Sequence, residues 1–486
     1  MKATSNWLDT WTRFQPDAEA IYDVGTGRRW TWADLKRASN AWGARLRREG
    51  VQPGDRVAVL AFNRAETFAL LFACADLGAV LFPMNWRLSP AELQYQADDC
   101  TPRVVIADDP HLALWPGAIR LDEGPGEPGD LSAQGPGSAL GAPWMIMYTS
   151  GSTGRPKGAM LTHQQVHWNA LNTILACDLQ TTSSTLTFTP MVHTGGMNCL
   201  STPLLHRGGR VVLTPGLDPV EALRLITQER ITHLMGVPTI YRMLADAPGF
   251  AEADLSCVRD ALCGGAALPL PLLEAYLDRG IPLRQGFGLT EVGPNCFSTP
   301  PADVRRKLGC VGLPIHHMAM KLVRPDGSEC EADESGELLL SGPAVFGGYW
   351  NRPEDTAKAV VDGWFHTGDV LSRDADGFYT VRGRLKEMYI SGGENVYPAE
   401  VEAAITAAPG VALAAVLGVP DARWGEVGVA WVEPVPGEQV QEADLRAFLD
   451  GRLARYKIPK RFIVEAALPR TASGKIDKPA LKTRLG

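Results

Sequence analysis

The chain has 486 residues, of which 45 % are hydrophobic and 21 % charged. That is the balance of a soluble globular protein with a sizeable core, and it excludes a largely disordered chain. Its 50 glycines and 36 prolines follow no period, which excludes collagen and low-complexity architectures, and a net charge of −8 provides no global field for holding nucleic acid.

At about 100–200 residues per domain, this length predicts two to four domains or one large domain with an appendage. The nine cysteines lie between Cys74 and Cys330 with no CxxC pair, so reduced thiols are expected rather than a disulfide framework or a zinc site. No basic start followed by an apolar run marks a signal peptide at the N-terminus. The stretch 67–84, TFALLFACADLGAVLFPM, is as long as a membrane span. Asp76 interrupts its middle and Gly78 and Pro83 its second half, which predicts a buried helix running into a buried strand. A cytoplasmic protein without a membrane span is expected, with peripheral association left open.

In chain order, RVAVLAF (56–62), RVVIAD (103–108), TLTFTPM (185–191), RVVLTP (210–215) and THLMGVP (232–238) read as buried strands. Helical patterns lie between them at 66–77, 219–229 and 239–246. Continuous apolar strands separated by helices predict parallel sheet covered on both faces. The Gly/Pro-rich stretch 122–142 reads as a surface loop, because strand-like sequence resumes at Trp144. From about 309 the texture changes to hairpins around RPDGSE, DESGELLLSG and RDADGFYTV. The last hundred residues read as a small α/β unit with strands at 411–419 and 427–435. The expected architecture is α/β: a large N-terminal domain of mostly parallel sheets covered by helices, with a small β-rich subdomain, over 1–384. A small mobile α+β domain follows over 385–486.

The strongest local signal is YTSGSTGRPKGAM (148–160), directly after the strand-like WMIM. Its small residues, Gly151 and Gly154 among them, let backbone N–H groups converge on phosphate oxygens. The hydroxyls of Thr149, Ser150, Ser152 and Thr153 add donors, and Lys157 adds charge. The spacing is not that of a Walker A loop. GGAAL (264–268) and GFGLTE (286–291) both follow strand-like segments and so belong at sheet ends, where α/β proteins bind ligands. Phe287, between Gly286 and Gly288, can lay its ring on a nucleobase. Thr290 can donate to a phosphate, and Glu291 suits Mg²⁺, a hard cation that takes oxygen ligands. GWFHTGD (363–369) ends in Asp369, whose carboxylate suits the two hydroxyls of a ribose.

With GRLKEMYISGGENVYPAEVE (383–402) and PRTASGK (469–475), these motifs fall in the order and spacing of the adenylate-forming superfamily, which the chain resembles over nearly its whole length. That group contains acyl-CoA and aryl-CoA synthetases, peptide-synthetase adenylation domains and beetle luciferases. The resemblance implies that 149–157 holds the β- and γ-phosphates of ATP, and that Gly264, Gly265, Ala266 and Gly286–Leu289, with Phe287, frame adenine. A Tyr is usual where this chain has Phe287. It further implies magnesium at Thr149 and Glu291, an α-phosphate contact at Thr290, ribose contacts at Asp369 and Arg384, and a hinge at Lys386. Lys475 matches the lysine that bridges the carboxylate and the α-phosphate. Lys475, Glu291, Thr290 and His193 are thus the residues expected at the reacting atoms. The resemblance also admits a homodimer and a lysine acetyltransferase acting on Lys475.

The chemistry accounts for this inventory. A carboxylate is a poor acyl donor, but attack of its oxygen on the α-phosphorus of ATP expels pyrophosphate and leaves an acyl-AMP with a good leaving group. Both partners are anions, so the site must supply positive charge and positioning rather than a nucleophilic side chain. A thiol then needs only delivery to the acyl carbon.

The acyl pocket is expected around PMVHTGGMN (190–198), Val237 in MGVPTIY, and Pro294–Asn295. These segments offer His193 but no charge, so an ammonium or second carboxylate would be buried unpaired at high cost. A monocarboxylic acid with an apolar tail is expected. Gly195 and Gly196 would clear the entrance for a slim chain, Met197 would adapt to its length, and HTGGMN resembles fatty acyl-CoA synthetases. Medium- to long-chain fatty acids are therefore expected. The alternatives are an aryl-acid CoA ligase, a ligase loading a carrier protein, and a catalytically silent binding protein. Coenzyme A as acceptor rests on SGGEN (391–395), where Ser391, Gly392 and Gly393 would line the thiol path. Trp424 would stack on its adenine, with Arg87 and Lys457 as partners for its phosphates.

Overall fold

The computed structural model describes residues 7–126, 139–149, 156–391, 394–471 and 475–485. Two sheets with mostly parallel strands organise the large N-terminal part. One runs, edge to edge, Leu283–Gln285, Asp260–Cys263, His233–Gly236, Ser184–Thr187, Arg210–Leu213, Glu19–Asp23, Arg28–Thr31. The other runs Ile119–Arg120, Val104–Ala107, Arg56–Leu60, Val80–Pro83, Pro143–Thr149, Lys157–Thr162. Each is parallel except for the last pair named, which is a hairpin. The apolar runs read as buried strands are all strands here, and helices cover their faces as the continuous hydrophobicity requires.

The stretch 67–84 divides as expected into the helix Ala65–Leu77 and the strand Val80–Pro83. The helix is apolar on nearly every side because it packs between the two sheets rather than against solvent. Gly78, at φ 73°, ends it in the left-handed conformation. Among the described residues no helix is long and apolar enough to cross a membrane. One strand is shorter than the sequence suggests. TLTFTPM holds strand geometry only to Thr187, and Pro190, which has no N–H for a ladder, lies in the turn that follows. The buried Asn63 shapes that turn: its amide donates to Thr189 O (3.1 Å) and its Oδ1 accepts from Met191 N (2.9 Å).

The hairpin-rich region forms an antiparallel sheet from Ala319–Val323, Ser335–Ser341, Trp364–Arg373, Val360–Val361 and Tyr379–Arg384. A separate sheet carries the C-terminal part: Glu394–Val396, Tyr389–Ser391, Gly425–Pro434, Val411–Asp421 and Arg461–Val464. It is antiparallel except for its last member, which runs parallel to Gly425–Pro434. Val401, Ile405, Val416, Val432, Leu445 and Leu449 give it a core of its own. The nine cysteines are all free thiols.

Candidate active site

The strands Pro143–Thr149 and Lys157–Thr162 pair antiparallel, with Thr149 directly opposite Lys157. They hold the two ends of the phosphate-loop motif. Ser150, Gly151, Ser152, Thr153 and Gly154 lie outside the described residues. Thr149 donates its hydroxyl to the carboxylate of Glu291. Glu291 is only 8 % exposed and receives a second bond from Tyr349 Oη at 2.9 Å. Burial pushes its carboxyl above the ordinary glutamate range despite these donors. Lys157 pairs with Asp355 at 2.8 Å, and its ammonium lies 5.4 Å from the centre of the Tyr349 ring. Thr149, Lys157 and Glu291, up to 142 residues apart in sequence, thus gather around Tyr349, with Thr149 joined through its bond to Glu291.

Gly264–Ala266 follow the strand Asp260–Cys263, and GFGLTE follows the neighbouring strand Leu283–Gln285. Gln285 staples the two loops together. Its Nε2 donates to Ala266 O (3.1 Å) and Gly286 O (3.0 Å), and its Oε1 accepts from Leu268 N (2.6 Å). Sequence reasoning missed this residue, although it directly precedes the motif. Gly288 is required for packing: a side-chain carbon there would lie 2.2 Å from the Pro294 carbonyl. Leu289 N donates to Gly293 O, so GFGLTE folds back on 293–294. Phe287 meets Phe297 edge to face at 5.7 Å, and the Thr290 carbonyl accepts from Gln165 Nε2 at 2.9 Å.

Asp369 and Arg384 stand opposite each other on paired strands. Arg384 Nε donates to Asp369 Oδ1 at 2.8 Å, while Oδ2 is buried with no partner among the described residues. Desolvation pushes the Asp369 carboxyl up to about 6, against the opposing pull of Arg384. An orphaned buried carboxylate oxygen needs a donor. A ribose hydroxyl supplies one, so the site fits a nucleotide.

Lys475 comes from the C-terminal part and enters the same cleft. A side-chain carbon at Gly265 would lie 3.7 Å from Lys475 Cε and 3.5 Å from Val237 Cγ1. Although Lys475 keeps solvent contact along the cleft, surrounding protein and then Arg384 hold its ammonium below the usual lysine range, with Asp369 opposing them. His193 completes this group. Burial, with Lys475 and Arg87 adding to it, lowers its imidazole to about 4, so it is neutral at physiological pH. Its buried Nε2 has no partner among the described residues. Arg87, expected at the phosphates of CoA, lies close enough to His193 for its charge to act on the imidazole.

Two residues expected to line the acyl entrance do something else. A side-chain carbon at Gly196 would lie 2.4 Å from Pro190 O and 2.5 Å from Thr189 O. That glycine lets the turn close on its own backbone and opens no channel. Met197 is wholly buried in the core. At Gly195 the corresponding carbon would meet only the flexible end of Met235, 2.9 Å away, so this glycine borders adjustable space. Val237 and Pro294 are half-buried at loop positions nearby.

Lys386 is exposed in the turn between the strand Tyr379–Arg384 of one sheet and Tyr389–Ser391 of the next. Ser391 is buried and pairs with Gly425, while Gly392 and Gly393 lie outside the described residues. Trp424 is 38 % exposed beside this segment, with Arg423 5.0 Å and Lys460 5.7 Å from its ring centre. Lys457, expected at the phosphates of CoA, is held by both oxygens of Glu400.

Comparison with known proteins bears on the family of the chain. A feruloyl-CoA synthase from an Amycolatopsis species is 43 % identical over 99 % of both chains. A long-chain-fatty-acid–CoA ligase of Mycobacterium tuberculosis is 35 % identical over 96 % of this chain and 95 % of its own. The o-succinylbenzoate CoA synthetase of Bacillus subtilis, solved with its acyl-adenylate intermediate, superposes with a TM-score of 0.89 at 32 % identity, covering 98 % of each chain. The AMP-binding enzyme profile matches residues 8–350, and that of the AMP-binding enzyme C-terminal domain matches 400–475. The chain therefore belongs to the AMP-binding enzyme family, the adenylate-forming superfamily that contains the acyl-CoA synthetases.

Proposed function

We propose that this protein is an AMP-forming acid–CoA ligase that activates a monocarboxylic acid carrying an aromatic ring. The observation that carries the reading is the meeting of Asp369, Arg384 and the neutral His193 around Lys475, which itself approaches Gly265. It puts a cation from the small domain beside an uncharged pocket and a nucleotide-fitting carboxylate. In this reading Lys475 supplies the positive charge that lets a carboxylate approach the α-phosphate, and Lys157 gives up Asp355 for the outer phosphates. Thr149 and Glu291 would hold Mg²⁺, which when bound neutralises phosphate charge. Asp369 and Arg384 take the ribose. A boundary at 384/385 with the hinge at Lys386 suits a small domain that alternates between two steps. An acetyltransferase acting on Lys475 would switch off the first step by removing its charge.

The aromatic acid displaces the fatty acid expected from the sequence for two reasons. The glycine taken to clear a slim channel, Gly196, is needed by its own turn, and Met197 is part of the core. The relative named for an aromatic acid is also the more similar one, 43 % against 35 %.

The test is acid-dependent pyrophosphate release over a panel of cinnamates, benzoates, arylacetates and fatty acids, with and without CoA. Highest kcat/KM for a ring-bearing acid, with thioester formed only when CoA is present, is the expected result. Preference for dodecanoate would restore the fatty-acid reading. Acyl-AMP that CoA cannot discharge would point to a carrier-protein acceptor.

A further inference from the structure

The segment Phe346–Trp350 belongs to none of the motifs discussed above, yet it holds three parts of the site together. Phe346 N donates to the backbone oxygen of Glu291 (2.7 Å). Gly347 N donates to Met160 O (2.9 Å), Met160 N to Gly348 O (2.9 Å), and Trp350 N to Gly158 O (2.7 Å). The segment is therefore zipped along the strand that leaves the phosphate loop. Tyr349 sits at its centre, bridged to Ala159, and Thr356 Oγ1 accepts its backbone N–H (2.9 Å). Its hydroxyl reaches Glu291 Oε1 (2.9 Å) while its ring lies beneath the Lys157 ammonium. Asp355, on the helix Pro353–Ala359 that also carries Thr356, holds that ammonium at 2.8 Å.

We propose that Tyr349 is a positioning residue that fixes the Glu291 carboxylate for a divalent cation and, through its ring, ties Glu291 to the phosphate-loop lysine. The inference rests on the nucleotide reading above. The phenol donates to one carboxylate oxygen and so sets the plane of the group, leaving acceptor capacity for a cation. The aromatic face attracts the lysine ammonium electrostatically. One rigid side chain thereby registers the two positive elements that anionic phosphates need.

The test is calorimetric titration of ATP into the full-length protein, without acid, over a series of Mg²⁺ concentrations. A hydrogen bond to a charged group typically matters about tenfold or more. Tyr349→Phe should therefore raise the Mg²⁺ concentration that half-saturates the effect on ATP affinity by about that factor. AMP binding without metal should be unchanged, because Asp369 and Arg384 are untouched. Tyr349→Leu, which removes the ring too, should additionally weaken metal-free ATP binding through Lys157. In a Glu291→Gln background the Tyr349→Phe change should lose its effect on the metal dependence. A wild-type magnesium response retained unchanged in Tyr349→Phe overturns this inference alone. Wild-type protein that binds ATP equally with and without Mg²⁺ overturns the Mg²⁺ assignment and this inference with it, and wild-type protein that binds no ATP overturns the nucleotide reading.

Discussion

Asp369 is 3 % exposed, carries Arg384 on one oxygen and, among the described residues, has no partner on the other. Its carboxyl is raised from 3.8 to about 6 by burial, which corresponds to about 3 kcal/mol of destabilisation when the group is ionised. The unfolded chain ionises this group near pH 4 and the folded protein near pH 6. Between those values the folded state therefore binds more protons, and the destabilisation grows as pH rises through the window and is complete above it. Asp369→Asn removes the buried charge, and the exposed Arg384 can turn to water. The variant should unfold at a higher temperature than the wild type at pH 7.5, and the difference should shrink as pH falls from 6 towards 4. The same variant loses an acceptor for the ribose, so its AMP affinity should drop about tenfold or more. Scanning calorimetry across pH, with AMP titration alongside, checks both halves. A variant that is less stable at pH 7.5 would show that the Arg384 pair outweighs the desolvation of Asp369.

The turn 188–196 shows what a sequence can and cannot say about an element. The parallel strands were legible because a short, continuous apolar run between turn residues is stable only when buried on both faces, and 67–84 declared its helix–strand break through Asp76, Gly78 and Pro83. Asp369, Glu291 and Lys475 were legible because each sits in a distinctive local motif. The partners that hold the site were not. Asn63 reaches Met191 across 128 residues and Tyr349 reaches Glu291 across 58, and nothing in the local sequence of either marks such a contact. The two glycines were ambiguous for a different reason: an absent side chain reads alike whether backbone or substrate fills the space. Coordinates separate them. Gly196→Ala must push the Thr189 carbonyl away from its Asn63 anchor and the Pro190 carbonyl away from His193 N, and overpacking of this kind costs about 1–3 kcal/mol. It should lower the melting temperature and raise KM for all acids alike. Gly195→Ala meets only the Met235 methyl, so it should fold normally and discriminate against the widest ring-bearing acids. Thermal melts and a KM series over acids of graded width check the pair. A ring-width-selective Gly196→Ala would return that residue to the pocket wall.

At the scale of the whole molecule, the structure has the C-terminal part turned so that Lys475 faces Gly265 and the nucleotide cleft, the arrangement suited to acid activation. Glu394 and Asn395, next to the expected thiol path, are meanwhile exposed to solvent. Lys475 and Ser391 lie 84 residues apart in one small domain, so a rotation can exchange one for the other at the same acyl carbon. The turn carrying Lys386 is tied on one side by Leu385 N to Gly368 O (2.9 Å) and on the other by Lys478 to Glu387 (2.5 Å). If the small domain rotates as proposed, the backbone between those ties is where the rotation would be absorbed. Lys475→Ala should slow acyl-AMP formation from acid and ATP at least about a hundredfold, the scale of losing one electrostatic stabiliser of a charged transition state. Thioester formation from supplied acyl-AMP and CoA should proceed nearly as in the wild type, because in the proposed alternation that step uses the other orientation. Lys386→Pro fixes φ near −65° in the turn and should hold the molecule in one orientation, so that one half-reaction falls much further than the other. Glu387→Gln loosens only the Lys478 tie and should leave both half-reactions within reach of wild type. Single-turnover measurements of each half-reaction in the three variants decide the matter: if Lys475→Ala impairs both halves equally, the small domain does not alternate, and Lys475 serves one fixed site for the whole reaction.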